Sequence, residues 1–267
     1  MADKPSYAIL GKGRWGTRVR AMLEEDGRRC VVVDQLRRRA DESADQYAER
    51  MSEELGSARV DVAWVAVPPG EHVPLLVGVA LEAGLHVIVE KPWSYSREQS
   101  DVVLAAQRDV GRLVAVDFEY CLLDGVQEWR ARYGGAAGLV FGGAFVAAGG
   151  NRLGIPPMDN LGSHLLAIRE YAVPGAAVGE LRCGYAGPPE RRVWLDEASG
   201  RVAEIDFGSN SEPILQRFRQ AVEHGRDSGE IAFDIPFAQQ VAARVGQEVQ
   251  RTSSLMSRSP MSDGLPH

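Results

Sequence analysis

The sequence predicts an α/β protein, in which a doubly wound parallel sheet is followed by a smaller α+β domain with a mostly antiparallel, open sheet. Up to about residue 120, continuous apolar runs alternate with amphipathic stretches, as in a parallel sheet covered by helices on both faces. Beyond that point, several strand candidates follow one another with helices grouped around them. We therefore expect a first domain over residues 1–120, a second domain over residues 121–251 and a disordered tail over residues 252–267.

The elements of the first half follow from its hydrophobic pattern. Strands are predicted at residues 7–10, 30–33, 60–67, 85–89 and 113–116, where Val, Ile and Ala predominate. Helices are predicted between them at residues 15–25, 40–55, 73–83 and 97–108, where apolar residues recur at helical spacing. This regular alternation is typical of a doubly wound sheet.

The second half has a different order of elements. Helices are predicted at residues 122–133, 161–171, 213–224 and 237–251. Strands are predicted at residues 139–148, 180–185, 191–196, 201–207 and 231–235, and the turn residues at 197–200 indicate a hairpin between two of them. Neighbouring strands joined by short turns favour antiparallel pairing.

Composition excludes several classes of protein. Of the 267 residues, 45% are hydrophobic and 25% are charged, which is typical of a globular chain. The net charge of −7 argues against a nucleic-acid partner. The three cysteines are widely spaced, which predicts reduced thiols in a cytoplasmic protein and no metal site. No apolar run approaches the ~20 residues that cross a bilayer, so we expect no membrane partner.

A glycine-rich loop between the first strand and the first helix predicts a dinucleotide site. The loop consists of Gly11, Lys12, Gly13, Arg14, Trp15 and Gly16. The first glycine allows the tight turn, the second admits the pyrophosphate and the third lets the helix pack on the strand. The helix N-terminus then offers free N–H groups to the phosphates. The expected domain is therefore of the Rossmann type.

The residues after the second strand bear on the choice between NAD and NADP. Asp34 lies about 20 residues beyond the loop, where a carboxylate accepts hydrogen bonds from the ribose hydroxyls and repels a 2′-phosphate. Arg37 and its two following arginines offer the opposite possibility, because guanidinium groups pair with that phosphate. The pattern favours NAD slightly and leaves NADP open.

Further motifs lie at the ends of the third and fourth strands. Pro68 and His72 follow the third strand, and the fourth ends in Glu90, Lys91 and Pro92. With the glycine loop, these motifs have the order and spacing of one family, over residues 6–120. The chain resembles the Gfo/Idh/MocA family of NAD(P)-dependent oxidoreductases, named after glucose–fructose oxidoreductase and inositol dehydrogenase.

The resemblance implies roles for these residues. Lys91 contacts substrate and nicotinamide, with a cis peptide bond before Pro92, while Pro68 and His72 help to form the cofactor cleft. The segment from Asn160 to His164 is similar to the family's Asp-x-Gly-x-His motif, in which the histidine exchanges a proton with the substrate.

The sequence also departs from the family's pattern at several positions. Asn160 stands where the family commonly has Asp, and Ala167 stands where a second Asp orients the histidine. We expect Asn160 to orient the substrate, and Tyr120 and Asp159 to lie in its pocket. The second domain is short for this family.

These observations predict an NAD(P)-dependent oxidoreductase, with Lys91, His164 and Asn160 as catalytic residues. It would transfer hydride to or from a carbonyl, hydroxyl or imine carbon of a small polar metabolite, such as a sugar or a cyclitol. The alternatives are an NAD(P)-binding protein with little catalysis, in regulation or assembly, and a family member that uses the cofactor for hydrolysis or elimination. A homodimer is expected through the C-terminal sheet, because an open sheet must cover an apolar face.

Overall fold

The computed structural model describes residues 4–34, 36, 38–148, 150–151, 154–208 and 213–258, so that Arg37 lies outside the described residues. The first half forms a five-stranded sheet in the order β2-β1-β3-β4-β5, with every pair parallel. Its strands are β1 (Tyr7–Leu10), β2 (Cys30–Val33), β3 (Val62–Val65), β4 (His86–Glu90) and β5 (Val114–Asp117). The predicted doubly wound parallel sheet is confirmed.

Four helices alternate with these strands, and their ends follow from local capping. They are α1 (Arg14–Glu25), α2 (Ala44–Ala58), α3 (His72–Glu82) and α4 (Arg97–Val110). Ser43 caps α2 and exchanges hydrogen bonds with Gln46, while Ser96 and Gln99 do the same for α4. The predicted start of α2 at residue 40 is therefore too early, because the chain becomes helical only after the Ser43 cap.

The second sheet has four strands in the order β7-β6-β8-β9. They are β6 (Val140–Val146), β7 (Ala177–Gly184), β8 (Glu190–Glu197) and β9 (Gly200–Asp206). The pair β6–β7 is parallel, whereas β6–β8 and β8–β9 are antiparallel, so the sheet is mixed and mostly antiparallel. Helix α5 (Asp124–Tyr133) precedes this sheet in the chain, and α6 (Ser163–Ala172), which lies between β6 and β7, packs against β6.

The last two helices return to the first sheet. They are α7 (Ile214–Ser228) and α8 (Ile235–Arg258). Tyr7 of β1 donates a 2.6 Å hydrogen bond to Glu223 of α7, and the rings of Trp64 and Phe218 lie 6.5 Å apart. The C-terminal helices therefore cover the first sheet, and the domain division at residue 120 stays a prediction.

The C-terminal region differs from the sequence prediction at two places. Residues 231–235 form a turn and the start of α8 instead of a strand, although the amide of Val116 donates to the carbonyl of Phe233 at 2.8 Å. Residues 252–258 continue α8, so this part of the expected tail is helical, and residues 259–267 lie outside the described residues. In the described part of the chain, no helix is long and apolar enough to span a membrane.

The outer face of the second sheet, which points away from α6, is rich in ion pairs. Arg192 pairs with Glu190, and Arg201 pairs with Asp196 at 3.0 Å and with Glu204 at 2.9 Å. We expected a homodimer because an open sheet must cover an apolar face. The outer face is charged instead, so this reason does not hold for it. Association of two copies stays a prediction.

Candidate active site

The three glycines of the loop differ in the space around them, and only Gly13 has open space where a Cβ would lie. Gly11 has a φ of 118°, and a Cβ there would lie 2.6 Å from the carbonyl oxygen of Ala66. A Cβ on Gly16 would collide with the carbonyl oxygen of Gly11. At Gly13, in contrast, a Cβ would meet no atom within 4 Å. Gly13 also precedes α1 without a side-chain cap on the helix, so the free N–H groups fit a pyrophosphate.

The residues expected at the ribose lie beside this loop. Asp34 directly follows β2, and its Oδ2 accepts a 2.7 Å hydrogen bond from Nζ of Lys12. This lysine holds the pKa of the Asp34 carboxyl below its usual value. The carboxylate is therefore ionised at neutral pH and remains accessible, as an acceptor for ribose hydroxyls requires.

The loop after β3 forms another side of the cleft. Pro68 precedes Gly70, whose amide approaches the Tyr95 hydroxyl at 3.4 Å. The imidazole of His72 lies against Gly70, because a Cβ there would be 2.9 Å from two ring atoms. His72 starts α3, and burial lowers its pKa, which favours the neutral ring. These contacts make His72 part of the wall of this loop.

Lys91 and Asn160 are joined by two hydrogen bonds. The peptide bond between Lys91 and Pro92 is cis, as the resemblance implies. Nζ of Lys91 donates to Oδ1 of Asn160 at 2.7 Å and to its backbone oxygen at 2.9 Å. Nδ2 of Asn160 donates to the hydroxyl of Tyr185 at 2.6 Å. The amide thus uses its oxygen and its nitrogen at once and fixes the direction of the lysine.

The turn that carries Asn160 leads directly into the helix that carries His164. Met158–Gly162 form a single π-helical turn, and α6 begins at Ser163. The Ser163 hydroxyl donates to the Asn160 backbone oxygen at 2.9 Å, which ties the turn to the helix. Single π-turns occur often at functional sites. The structure therefore brings Lys91, Asn160 and His164 to one place.

His164 lies in an aromatic cluster. Its side chain is 5% exposed, and its ring centroid is 4.7 Å from that of Tyr120 and 5.5 Å from that of Phe145. Phe207 packs against both of these aromatic rings. The cluster shields the imidazole from water on these sides and places Tyr120 beside it. Burial raises the pKa of Tyr120 to about 12, so its hydroxyl stays protonated.

The imidazole of His164 is neutral at physiological pH. Burial lowers its pKa well below the usual value, and the positive charges of Lys91 and Arg191 lower it further. Among the described residues, its Nδ1 has no hydrogen-bond partner. Ala167, one turn later on α6, has no polar side chain with which to orient the ring. His164 is consequently suited to accept a proton.

Three buried carboxyl groups lie beneath Lys91, two of which the sequence analysis missed. Glu90 ends β4 and is the direct cross-strand partner of Asp117 at the end of β5. Glu119 follows in a 3-10 helix, Glu119–Leu122. The indole nitrogens of Trp15 and Trp64 both donate to Oε1 of Glu90. This buried acid cluster is defined by Glu90, Asp117 and Glu119.

The buried acid cluster holds protons at neutral pH. Burial, followed by the charge of Glu119, raises the pKa of Glu90 to about 8. The pKa values of Asp117 and Glu119 also lie well above their usual range, chiefly through burial. The carboxyl of Asp117 meets no N–H or O–H donor among the described residues and faces its acidic neighbours. Carboxyl groups in contact form a hydrogen bond only when they share a proton.

Burial and the neighbouring acids have opposite effects on the pKa of Lys91. Burial lowers its pKa, while the charges of Glu119, Glu90 and Asp117 act in the opposite direction and favour the ammonium form. An acidic residue at the end of each of two adjacent parallel strands was the sequence signal for this cluster. In the part of the chain that the structure describes, no group of His, Cys, Asp and Glu is arranged to hold a metal ion.

Asp159 is directed to a different place from its neighbour Asn160. It lines a cavity of about 110 Å³ between the segment after β4 and α8. Pro92, Trp93, Phe118 and Ser163 line the same cavity. Asp159 makes no hydrogen bond to Lys91 or His164 among the described contacts, so its expected place in the substrate pocket stays a prediction.

The fold and this site are typical of a class of α/β proteins that bind a dinucleotide at the carboxyl edge of a parallel sheet. Residues 6–118 match the model of the Gfo/Idh/MocA oxidoreductase family, described as an NAD-binding Rossmann fold. Over these residues the chain is similar to that family of oxidoreductases. A comparison with curated proteins gives no match.

Solved structures resemble the chain over most of its length. UDP-N-acetylglucosamine 3-dehydrogenase GnnA from Acidithiobacillus ferrooxidans has a TM-score of 0.72 at 16% identity, covering 92% of this chain and 96% of that one. Myo-inositol 2-dehydrogenase from Lactobacillus plantarum has a TM-score of 0.72 at 11% identity, with 95% and 98% covered. GenD2 from gentamicin A biosynthesis, in complex with NAD, has a TM-score of 0.71 at 18% identity, with 92% and 93% covered. At these identities the likeness concerns the fold.

Proposed function

We propose that this protein is an NAD(P)-dependent oxidoreductase that acts on a carbonyl, hydroxyl or imine carbon of a small polar metabolite of the sugar or cyclitol class. The observation that carries the proposal is the meeting of Lys91, Asn160 and His164 next to the glycine-loop domain. The class of substrate is supported by the names of two neighbours, a UDP-N-acetylglucosamine dehydrogenase and a myo-inositol dehydrogenase.

In the proposed mechanism, Lys91 binds and polarises the reacting oxygen. Its ammonium group is a compact donor with three N–H bonds, of which Asn160 occupies two. The third is left for the oxygen of the substrate. Asn160 acts as a positioning residue, because its side chain is in turn held by Tyr185.

His164 exchanges the proton of the substrate hydroxyl. When an alcohol is oxidised, the neutral imidazole accepts the hydroxyl proton as the C–H bond breaks. In the reverse direction, an imidazole protonated in this way or the ammonium of Lys91 returns a proton to the oxygen or nitrogen. The lowered pKa of His164 keeps the imidazole in the neutral form, which can accept a proton.

Bound NAD(P) supplies the hydride acceptor or donor. We propose that the glycine loop, Gly11 to Gly16, holds the pyrophosphate and that Asp34 accepts hydrogen bonds from the ribose, with NAD preferred to NADP. Pro68, His72, Glu90, Lys91 and Pro92 would line the rest of the cofactor cleft. The open space at Gly13 and the accessible carboxylate of Asp34 support this assignment.

We also propose a homodimer through the outer face of the second sheet and a cytoplasmic location. The outer face combines Trp194 with the exposed valines Val140 and Val202 and with charges of both signs, a pattern that can complement itself across a two-fold axis. The three cysteines are free, which suits a reducing compartment. Sedimentation equilibrium would measure the association.

A second function is favoured by one observation, the unpartnered Nδ1 of His164 beside Ala167. A histidine without an orienting group suits a protein that binds NAD(P) with little catalysis. Cofactor binding alone, without turnover, would support this alternative.

The experiment is a two-stage assay of the full chain. NADH and NADPH are first titrated separately, with nicotinamide fluorescence as the readout. Absorbance at 340 nm is then followed against a panel of sugars, cyclitols, their keto forms and imines. Binding of NADH with turnover on the panel supports the oxidoreductase, whereas failure to bind either cofactor contradicts the proposal.

A further inference from the structure

One charged residue lies on the inner face of the second sheet, the face that packs on α6. The residues of β6 and β8 on this face are Phe141, Gly143, Phe145, Arg191, Val193 and Leu195. A Cβ on Gly143 would lie 3.1 Å from Leu165 of α6, which identifies the side that faces the helix. Apart from Arg191, these residues are apolar or glycine, and Arg191 is the cross-strand partner of Phe145. Its position at this face therefore needs an explanation.

The arginines of the outer face differ from Arg191 in their partners. Arg182, Arg192 and Arg201 each pair with a carboxylate of the sheet. Among the described residues, Arg191 has no carboxylate within ion-pair distance. Its guanidinium lies instead over the ring of Phe145, 5.2 Å from the centroid. A half-buried guanidinium with no counter-ion among the described residues loses hydration that these residues do not fully replace.

Arg191 is separated from the candidate catalytic residues by a single aromatic ring. The Phe145 ring, which the guanidinium covers, lies 5.5 Å from the imidazole of His164. Tyr120 contacts both of these rings. The positive charge of Arg191 also lowers the pKa values of His164 and Tyr120, in agreement with this closeness. The guanidinium thus lies within reach of a substrate bound at His164.

We propose that Arg191 binds an anionic group of the substrate, so that the substrate is an acidic metabolite of about the size of a single sugar ring. The planar guanidinium offers paired N–H donors that match the oxygens of a carboxylate or a phosphate monoester. The reacting carbon would lie at Lys91 and His164, and the anionic group would lie on the far side of Phe145. This inference rests on the proposed function and narrows its substrate class.

The test compares charged and neutral probes in the full chain. Calorimetric titrations in the presence of saturating NADH use D-glucuronate, D-glucose 6-phosphate and D-glucose at equal ionic strength. The variant is Arg191→Met, and the matched control is Arg192→Met, which removes a neighbouring arginine from the outer face. Because Arg191 has no ion pair among the described residues, we expect Arg191→Met to fold with an unchanged or higher melting temperature.

The wild type and Arg192→Met should bind at least one anionic probe more tightly than D-glucose. In Arg191→Met, the Kd for that probe should rise about tenfold or more, because a charge-assisted hydrogen-bond pair is lost. Tighter binding of D-glucuronate identifies a carboxylate site, and tighter binding of D-glucose 6-phosphate identifies a phosphate site. Arg191→Lys keeps the charge without the paired donors. Its Kd for the preferred anion should lie between those of the wild type and Arg191→Met.

Two outcomes overturn the inference while the proposed function stands. In the first, NADH binds and neither anionic probe is preferred to D-glucose. In the second, Arg191→Met binds the preferred anion as tightly as Arg192→Met does. Failure of the wild type to bind NADH in the same titrations overturns the proposed function as well.

Discussion

Lys91 donates two hydrogen bonds to Asn160, one to its side-chain oxygen and one to its backbone oxygen. The two residues lie 69 positions apart in the chain, one at the end of β4 and one in the turn before α6. A neutral amide stands here where a carboxylate would form an ion pair with the lysine. The acid–base behaviour of Lys91 is thereby linked to the identity of residue 160.

Asn160→Asp should move the alkaline limb of the pH–rate profile upwards by about 1 pH unit. The new carboxylate favours the ammonium form of Lys91, raises its pKa and keeps the lysine protonated to higher pH. The measurement is kcat/KM as a function of pH. Asp159→Asn is the matched control, because it changes a neighbouring charge that makes no hydrogen bond to Lys91, and it should leave the limb in place. An unmoved limb in Asn160→Asp contradicts the assignment of that limb to Lys91.

Ala167→Asp should give His164 the partner that its Nδ1 lacks. The wild-type protein should oxidise its substrate at a rate that varies little between about pH 6.5 and 8, because the pKa of His164 lies well below its usual value. A carboxylate one helical turn away raises that pKa. As the pH is lowered, the rate of the variant should therefore begin to fall at a higher pH than the rate of the wild type. Ala167→Asn has the same shape without the charge and serves as control. Identical acid limbs in the two variants rule out this role for the carboxylate.

The buried acid cluster makes stability depend on pH. The pKa of Glu90 is about 8 in the folded protein and near its usual value when unfolded, so the folded state binds more protons between these values. The free energy of unfolding should therefore fall as pH rises from about 4.5 to 8.

Asp117→Asn should weaken this dependence. The amide cannot ionise and can donate to Glu90, so the substitution should stabilise the protein more at pH 8.5 than at pH 6. Each kcal/mol of added stability raises Tm by about 2–4 °C. Thermal unfolding at the two pH values measures the effect, with the exposed Asp101→Asn as control. A gain of equal size at both pH values would show that Asp117 does not act through its charge.

Two glycines of the loop should respond differently to alanine. Gly13→Ala should leave Tm nearly unchanged and raise the Kd for NADH by about tenfold or more, because its Cβ enters space that is free of protein atoms but needed by the pyrophosphate. Gly11→Ala should lower the free energy of unfolding by about 1 kcal/mol or more, since its φ is 118° and its Cβ would meet Ala66. NADH fluorescence and thermal unfolding separate the two effects. Normal NADH affinity in Gly13→Ala would argue against this position for the pyrophosphate.

The first sheet and its glycine loop could be predicted because their signals are local. Strand positions follow from continuous apolar runs, and the loop follows from glycines at fixed spacing. Lys91, Asn160 and His164 were found through the resemblance, and the structure brings them together. Their roles and the domain boundary stay predictions.

Other features depend on tertiary contacts that the sequence pattern does not contain. The pairing of Glu90 with Asp117 needs the register of β4 and β5, and the position of Arg191 needs the register of β6 and β8. The apolar stripes of α7 and α8 predict helices with a buried face but do not say which sheet they cover. Residues 231–235 are apolar except for Asp234, and Phe233 packs against Phe218, a contact that a strand prediction does not anticipate.

The central claim is that Lys91 takes part in the reaction, and one ratio tests it most directly. That ratio is kcat/KM of Lys91→Met over kcat/KM of Lys4→Met, measured at 340 nm with the best substrate of the panel. Lys4 is an exposed lysine whose ammonium contacts only the carbonyl of Asp26 among the described residues, at 2.9 Å, so it serves as the matched control. We predict a ratio of about 0.01 or lower, because the loss of a positioned proton donor costs about 10²–10⁴ in rate. A ratio near one would contradict the account.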